Sequence, residues 1–202
     1  MELVVATKNK KKLREIKDIL RGLKVSIASI EDYPDAPRII ENGKSFKENA
    51  IKKAVKISHF TKNLTLGEDS GLCVHVLGGA PGIYSSRFAG KGKSDKKNNE
   101  KLLRSLRGIP AVRRKAYYIC AVALADKDGL VGVAEGRCPG FIGFEPKGHS
   151  GFGYDPLFVI PKYKKTFAQL GEKIKHRMSH RYHALKGTRK IFLKYIEKIK
   201  SS

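Results

Sequence analysis

Glu68, Asp69, Ser70 and Gly71 follow a short apolar stretch, Leu64-Thr65-Leu66-Gly67. Two adjacent carboxylates at a strand-to-turn junction, followed by a small hydroxyl residue and a glycine, can hold a divalent cation or a reactive water. Alone, such a segment is more often an Asx-turn in which Asp69 bonds only its own backbone. A second candidate lies near the start of the chain. Thr7, Lys8, Asn9, Lys10, Lys11 and Lys12 offer a hydroxyl, an amide and several cations between an apolar run and an amphipathic one. A loop entering a helix N-terminus favours anions, and lysine brings a mobile positive charge for phosphate. The loop lacks the G-x-x-x-x-G-K-[ST] pattern of a P-loop, and a lysine-rich first turn by itself is more often solvated surface than a ligand site.

These groups need elements to position them. Residues 3–6 read as a short buried strand, and Leu13, Ile16, Ile19 and Leu20 share one helical stripe from about Lys10 to Gly22. Residues 25–28 read as a second strand, and Pro34 and Pro37 place the next stretch in a loop leading to Glu41. Ser45 and Glu48 have capping-box spacing, and Phe46, Ala50, Ile51, Ala54 and Val55 continue as a helical face. Residues 64–66 and 73–77 are strand candidates on either side of the acidic turn, followed by a Gly/Pro-rich loop at 78–82. Residues 94–106 look helical, 116–125 and 130–135 form a hairpin around Lys127-Asp128-Gly129, and 179–199 close the chain as a helix. The pattern implies an α/β fold with a long mixed sheet.

Composition narrows the function classes. At 202 residues the chain can bury a substantial core as one compact unit. Its three cysteines, Cys73, Cys120 and Cys138, share no C-x-x-C spacing, so neither a disulfide framework nor a zinc knuckle is suggested, and a reducing cytosol fits. No apolar run reaches membrane-spanning length, and the first residues do not read as a signal peptide. The expectation is a cytoplasmic protein with no membrane partner. A net charge of +23, from 42 Lys and Arg against 19 Asp and Glu, would attract nucleic acid, an anionic membrane or a polyphosphate. The lysines are spread along the whole chain, which also fits a plain solvated basic surface.

Several segments become specific when read together. They are Thr7-x-Asn9-x-x-Lys12, Glu41-x-Gly43-x-Ser45-Phe46-x-x-Asn49-Ala50, Asp69-Ser70-Gly71-Leu72, Gly78-Gly79-Ala80-Pro81-Gly82-Ile83-Tyr84-Ser85-Ser86-Arg87, Gly151-Phe152-Gly153-Tyr154-Asp155-Pro156-x-Phe158 and Ser179-His180-Arg181-x-x-Ala184-Leu185. In this order the set resembles the inosine triphosphate pyrophosphatase family, which hydrolyses inosine, deoxyinosine and xanthosine triphosphates to monophosphate and pyrophosphate. The resemblance spans nearly the full chain. It implies a single domain over residues 1–202, a two-lobed α/β fold around a long central mixed sheet flanked by helices, a substrate cleft between the lobes, and a homodimer. It further implies that Thr7, Lys8, Asn9, Lys10, Lys11 and Lys12 contact the triphosphate. Glu41 and Asp69 would serve Mg²⁺, with Asp69 also the proton acceptor, and Ser70 would touch substrate. Phe152, Gly153, Tyr154 and Asp155 would line the base and sugar pocket, while Lys175, His180 and Arg181 would read the base edge.

The chain departs from the family pattern at Glu68, where a second Asp is common, at Lys8 for Gly, at Ser45 for Thr and at Gln169 for Glu. Glu68 keeps the charge on a longer arm, and Gln169 removes one, which argues against a catalytic role there. His59, His75, His149 and His183 lie outside the motifs and read as surface or core histidines. One rival is a related pyrophosphatase for modified pyrimidines, against which the Ser179-His180-Arg181 segment speaks. The other is a basic nucleic-acid-binding protein, but no nucleic-acid motif with interleaved aromatics is recognisable, so no specific nucleic acid is expected.

Overall fold

The computed structural model describes residues 1–92 and 94–201. The elements are β1 (Glu2–Val5), α1 (Lys10–Ile19), β2 (Ser26–Ser29), α2 (Phe46–Thr61), β3 (Leu64–Val74), α3 (Asp95–Ser105), β4 (Lys115–Asp126), β5 (Gly129–Ile142), β6 (Phe158–Ile160), β7 (Lys165–Thr166), α4 (Phe167–Leu170), α5 (Glu172–Met178) and α6 (His180–Lys200). Among the described residues the strands form one sheet in the order β2-β1-β3-β4-β5-β6-β7. It is mixed, since β1 pairs in parallel with β2 and β3 while β6 pairs antiparallel with β5 and β7. The expected α/β fold with a mixed sheet is what the chain adopts.

Two compact units share the chain. The first comprises Met1–Asp69, Cys120–Gly136 and His180–Ser202, the second Ser70–Ile119 and Arg137–Ser179. The division falls inside β3, β4 and β5, so each of these long strands contributes one part to each unit.

In the first unit, the alternation of β1 assigns its residues to two cores. Leu3 and Val5 join Ile16 and Leu20 from α1 and its cap, and Ala184, Leu185 and Phe192 of α6. Val4 and Ala6 join Ile30 and Ile57, the latter from α2. Successive residues of an extended chain point to opposite faces, so an apolar run such as residues 3–6 is what a sheet covered on both faces requires. In the second unit, Leu72 and Val74 pack with Leu102 and Leu106 and with the rings of Tyr118, Phe158 and Phe167. Phe158 stacks on Phe167 with centroids 5.5 Å apart.

One local expectation is overturned. The acidic segment is not a turn between two strands: Glu68, Asp69, Ser70 and Gly71 lie within the continuous strand β3, and residues 75–77 form a 3₁₀ turn instead of a second strand. Buried carboxylates are tolerated in mid-strand because cations meet both of them, Lys12 and Arg181 at Glu68 and Lys53 at Asp69. β5 also runs beyond the expected residue 135, to Ile142. All three cysteines are free and buried. No helix among the described residues is long and apolar enough to cross a membrane.

Candidate active site

In the first unit the site is built from α2 and β3. Ser45 caps α2, its Oγ accepting from the Glu48 amide at 3.1 Å. Phe46, Asn49, Ala50, Lys53, Ala54 and Ile57 then fall on the buried side of the helix. β3 lies directly on that side because Gly67 has no side chain. A Cβ there would sit 2.2 Å from the Ala50 carbonyl oxygen and 2.5 Å from the Ala54 amide nitrogen. Two residues further along, on the same face of the strand, Asp69 is brought onto Asn49 and Lys53. Asn49 Nδ2 donates to Asp69 Oδ2 at 3.1 Å, while Asn49 Oδ1 accepts from the Gly43 amide at 2.8 Å. One side-chain amide thus ties the loop carrying Glu41 to the strand carrying Asp69.

Lys53 completes this cluster. Its Nζ lies 3.0 Å from Glu41 Oε1 and 3.4 Å from Asp69 Oδ1, and donates to the Glu68 carbonyl at 3.0 Å. Burial pushes the Lys53 ammonium down, but Asp69, Glu41 and Glu68 outweigh it, so its pKa lies above the usual lysine value. Burial holds the Asp69 carboxyl above its usual range, against the pull of Lys53 and Lys12. A carboxylate whose pKa is moved upward is a better proton acceptor near neutral pH than an exposed one. Glu41 keeps 40% of its side chain exposed and Asp69 only 9%, so one of the two acids remains open to solvent.

Glu68 turns to the opposite face. Its Oε1 accepts from Arg181 Nη2 at 2.9 Å and from the Cys120 thiol at 3.3 Å, and its Oε2 pairs with Lys12 Nζ at 2.8 Å. Arg181 Nη1 also donates to Glu15 of α1. Burial lowers the Arg181 pKa, and Glu68 and Glu15 more than restore it, keeping the guanidinium charged. At 1% exposure Arg181 binds α6 to α1 and β3 through two carboxylates, a set of partners that sequence reasoning, looking for a nucleobase donor, did not foresee. His180 is buried beside it in the same unit. The N-terminal loop is held by its own side chains: Asn9 Oδ1 accepts from the Lys11 and Lys12 amides at 3.0 and 3.1 Å, and Thr7 Oγ1 accepts from the Asn9 amide at 3.2 Å. Lys8, Lys10 and Lys11 are exposed, whereas Lys12 turns inward to Glu68.

The second unit gathers the remaining expected residues, apart from half-buried Ser70, around Asp155. Asp155 Oδ2 accepts from Lys175 Nζ at 2.7 Å and from the Phe152 amide at 3.0 Å, and Oδ1 accepts from the Tyr118 hydroxyl at 3.3 Å. The Lys175 ammonium lies 4.3 Å from the centroid of the half-buried Phe152 ring, a cation–π arrangement. Gly153 is clamped at the start of α3, its amide donating to Asp95 Oδ2 at 2.8 Å and its carbonyl accepting from Asn99 Nδ2 at 3.0 Å. Tyr154 is a core aromatic, 3% exposed, with its hydroxyl donating to the Ser85 carbonyl at 2.8 Å. Gln169 reciprocates with Thr166 in a capping box at the start of α4, a task that needs no charge.

Asn49, Lys53 and Glu15 were not expected at the site. Lys53 had a legible signal: it falls on the same helical stripe of α2 as Phe46, Ala50, Ala54 and Ile57, and a lysine at a buried position requires a carboxylate. Among the described residues no group of three or more His, Cys, Asp or Glu side chains is arranged to hold a metal ion. The hard-oxygen pair Glu41 and Asp69, which already shares one cation in Lys53, nevertheless suits Mg²⁺. That ion is commonly held by one or two carboxylates, with waters and substrate phosphates supplying the rest.

Comparison with known proteins adds an independent line. The sequence profile of the Ham1 family matches residues 3–191. A dITP/XTP pyrophosphatase of Desulforamulus reducens is 48% identical over 186 residues, 92% of each chain. One of Halalkalibacterium halodurans is 48% identical over 185 residues, 92% of this chain and 95% of the other. Among solved structures, a HAM1 protein from Coxiella burnetii superposes with a TM-score of 0.87 at 35% identity, covering 96% of this chain and 99% of that one. The Staphylococcus aureus Ham1 protein gives 0.85 at 36% identity, covering 96% and 98%.

Proposed function

The chain belongs to the Ham1 family, and from that membership and the geometry around Asp69 we propose that it hydrolyses non-standard purine nucleoside triphosphates. The substrates are inosine, deoxyinosine and xanthosine triphosphates, and the products are the nucleoside monophosphate and pyrophosphate. The observation that carries this reading is the buried Asp69 carboxylate, held by the Asn49 amide on one oxygen and by the Lys53 ammonium on the other.

Asp69 accepts a proton from a water whose oxygen attacks the α phosphorus. The bond from that phosphorus to the bridging oxygen breaks, and pyrophosphate leaves with the bond's electrons. Asn49 fixes the acceptor, since its amide can donate to the carboxylate but cannot take the proton in its place. Lys12 and Lys53, with exposed Lys8, Lys10 and Lys11, meet the negative charge of the triphosphate and of the leaving pyrophosphate. Glu41 and Asp69 would hold Mg²⁺, which would supply positive charge to offset that of the phosphate oxygens. Thr7 and Asn9 shape the loop, and Ser70 follows the base along the strand.

Phe152, Gly153, Tyr154 and Asp155 support the nucleoside, with the Phe152 ring as a stacking surface. Lys175 and His180 supply donors to the base edge, and Arg181 contributes chiefly by fixing Glu68 and the start of α6. The two units act as one functional domain, working as a homodimer in the cytoplasm.

Phosphorus NMR of the products from inosine triphosphate with Mg²⁺ tests the reaction directly. Pyrophosphate and monophosphate are expected from the first turnover; orthophosphate with diphosphate as the first products would replace this reading with a γ-phosphatase.

A further inference from the structure

In the second unit a cavity of about 550 Å³ opens where α3 ends, lined by Arg104, Arg107, Arg114 and Phe144 together with Ile109 and Pro110. None of its described lining residues is acidic. Arg114 is 4% exposed, and its Nε, Nη1 and Nη2 donate to the carbonyls of Ile109, Gly143 and Leu106 at 2.9, 2.9 and 2.8 Å. All three acceptors are neutral. Among the described residues no carboxylate answers its charge, and burial lowers the Arg114 pKa from the usual arginine value. A desolvated cation with no counter-ion projects positive potential into the space beside it.

Phe144 is 62% exposed, and the Arg114 guanidinium carbon lies 3.9 Å from its ring centroid. A surface phenylalanine backed by a guanidinium is a platform for a second flat ring. Arg104 lies in the last turn of α3 and Arg107 in the turn that follows it, both exposed, and among the described residues their side chains make no hydrogen bond or ion pair. Basic residues at a helix C-terminus commonly serve the terminal carbonyls. Arg114 does so through Leu106, but Arg104 and Arg107 do not, and that role gives no reason to expose Phe144.

We propose that this cavity is a ligand site of its own for a nucleoside monophosphate, with the base on Phe144 and the phosphate between Arg104 and Arg107. Its volume falls within the span of small-molecule pockets, roughly 300–1,000 Å³. Two guanidinium forks match the several oxygens of a phosphate better than a single carboxylate would use them. The site is independent of the hydrolytic reading, because neither arginine belongs to the clusters around Asp69 and Asp155.

The test is a proton–nitrogen NMR titration following the Nε–H signal of Arg114. Adenosine monophosphate is the probe, chosen because the proposed hydrolytic site disfavours a 6-amino purine, and inorganic phosphate is the comparison. The expected result is a saturable shift with adenosine monophosphate, at a half-saturating concentration roughly tenfold or more below that of phosphate, the size of one stacking contact. Arg104→Glu with Arg107→Glu should remove the shift while inosine triphosphate hydrolysis is unchanged. Phe144→Ala should bring the monophosphate to the level of phosphate. No saturable shift, equal titration by the two ligands in the unmodified protein, or an unchanged titration in the double variant would overturn the proposal. So would a signal that moves with protein concentration alone, which would give the cavity to a second copy of the chain.

Discussion

Glu68 and Asp69 are consecutive in sequence and face opposite sides of β3, Glu68 meeting Arg181 at 2.9 Å and Asp69 meeting Asn49 at 3.1 Å. The alternation of a strand makes this unavoidable once the segment is extended. The two acids therefore have different neighbours and different work. Asp69 shares a cation with half-exposed Glu41, while Glu68 is closed in by Lys12, Arg181 and the Cys120 thiol.

Substitution should separate the two roles. Asp69→Asn keeps the shape and still accepts from Asn49, but takes up no proton, so kcat should fall by roughly 10²–10⁴-fold with substrate binding nearly unchanged and stability only modestly lowered, since Lys53 keeps Glu41. Glu68→Gln should do the reverse in stability, costing on the order of 3 kcal/mol because Arg181 and Lys12 lose a buried counter-charge. Steady-state kinetics and urea unfolding of the two variants decide the matter. Near-normal turnover by Asp69→Asn would end its assignment as the base.

The pH dependence follows from the raised Asp69 pKa. Its usual value is 3.8, and burial moves it upward in the folded chain. The basic form is lost as pH falls through the raised value, so in the metal-free protein a carbon-13 NMR titration of the Asp69 carboxyl should have its midpoint above 3.8. For stability the sign is opposite to that of a salt-bridged acid. The folded state holds this proton more tightly than the unfolded chain, so stability from this group declines as pH rises between the two values. Lys53→Met removes the strongest opposing cation and should move this titration to still higher pH; a midpoint that moves downward would contradict the pairing.

Much of the frame was legible. The apolar run of β1, the stripe of α1, the Ser45 cap of α2, the Lys127-Asp128-Gly129 hairpin and the closing helix all obey local patterns that tertiary packing reinforced. The Glu68-Asp69 segment was misread as a turn because two charges and a glycine look like a loop unless their partners are known, and Lys12, Lys53 and Arg181 lie 56, 15 and 113 residues away. Short β6, β7 and α4 were not legible, being held by the core around Phe158 and Phe167 instead of by any periodicity of their own.

Gly67 is the spacer that sets the distance between β3 and α2. Gly67→Ala would place a methyl group 2.2 Å from the Ala50 carbonyl oxygen and 3.0 Å from the Ala54 Cβ. Backbone cannot yield there as a flexible side chain could, so strand and helix must separate, at a cost of about 1–3 kcal/mol. That separation should also loosen Asn49 and Lys53 from Asp69, lowering kcat in the fraction that remains folded. Denaturant unfolding and active-site-normalised kinetics measure both effects. Wild-type stability would show that the packing tolerates a side chain at this point.

Base selection should rest on hydrogen-bond polarity in the second unit. Lys175 Nζ is held between Asp155 Oδ2 and the Phe152 ring, and an ammonium can only donate. A 6-oxo purine accepts from it, whereas the 6-amino group of adenine presents hydrogens and leaves the donor unmatched. A site built around such a bond can discriminate by roughly 10⁴-fold, so inosine and xanthosine triphosphates should exceed adenosine triphosphate strongly in kcat/KM. Lys175→Met should erode that ratio, mainly by loss of the good substrate. The same change leaves the buried Asp155 carboxylate without its cation and will lower stability, but unfolding removes activity toward both substrates equally. The ratio therefore reports recognition alone, and a ratio unchanged in Lys175→Met would remove this lysine from the reading of the base.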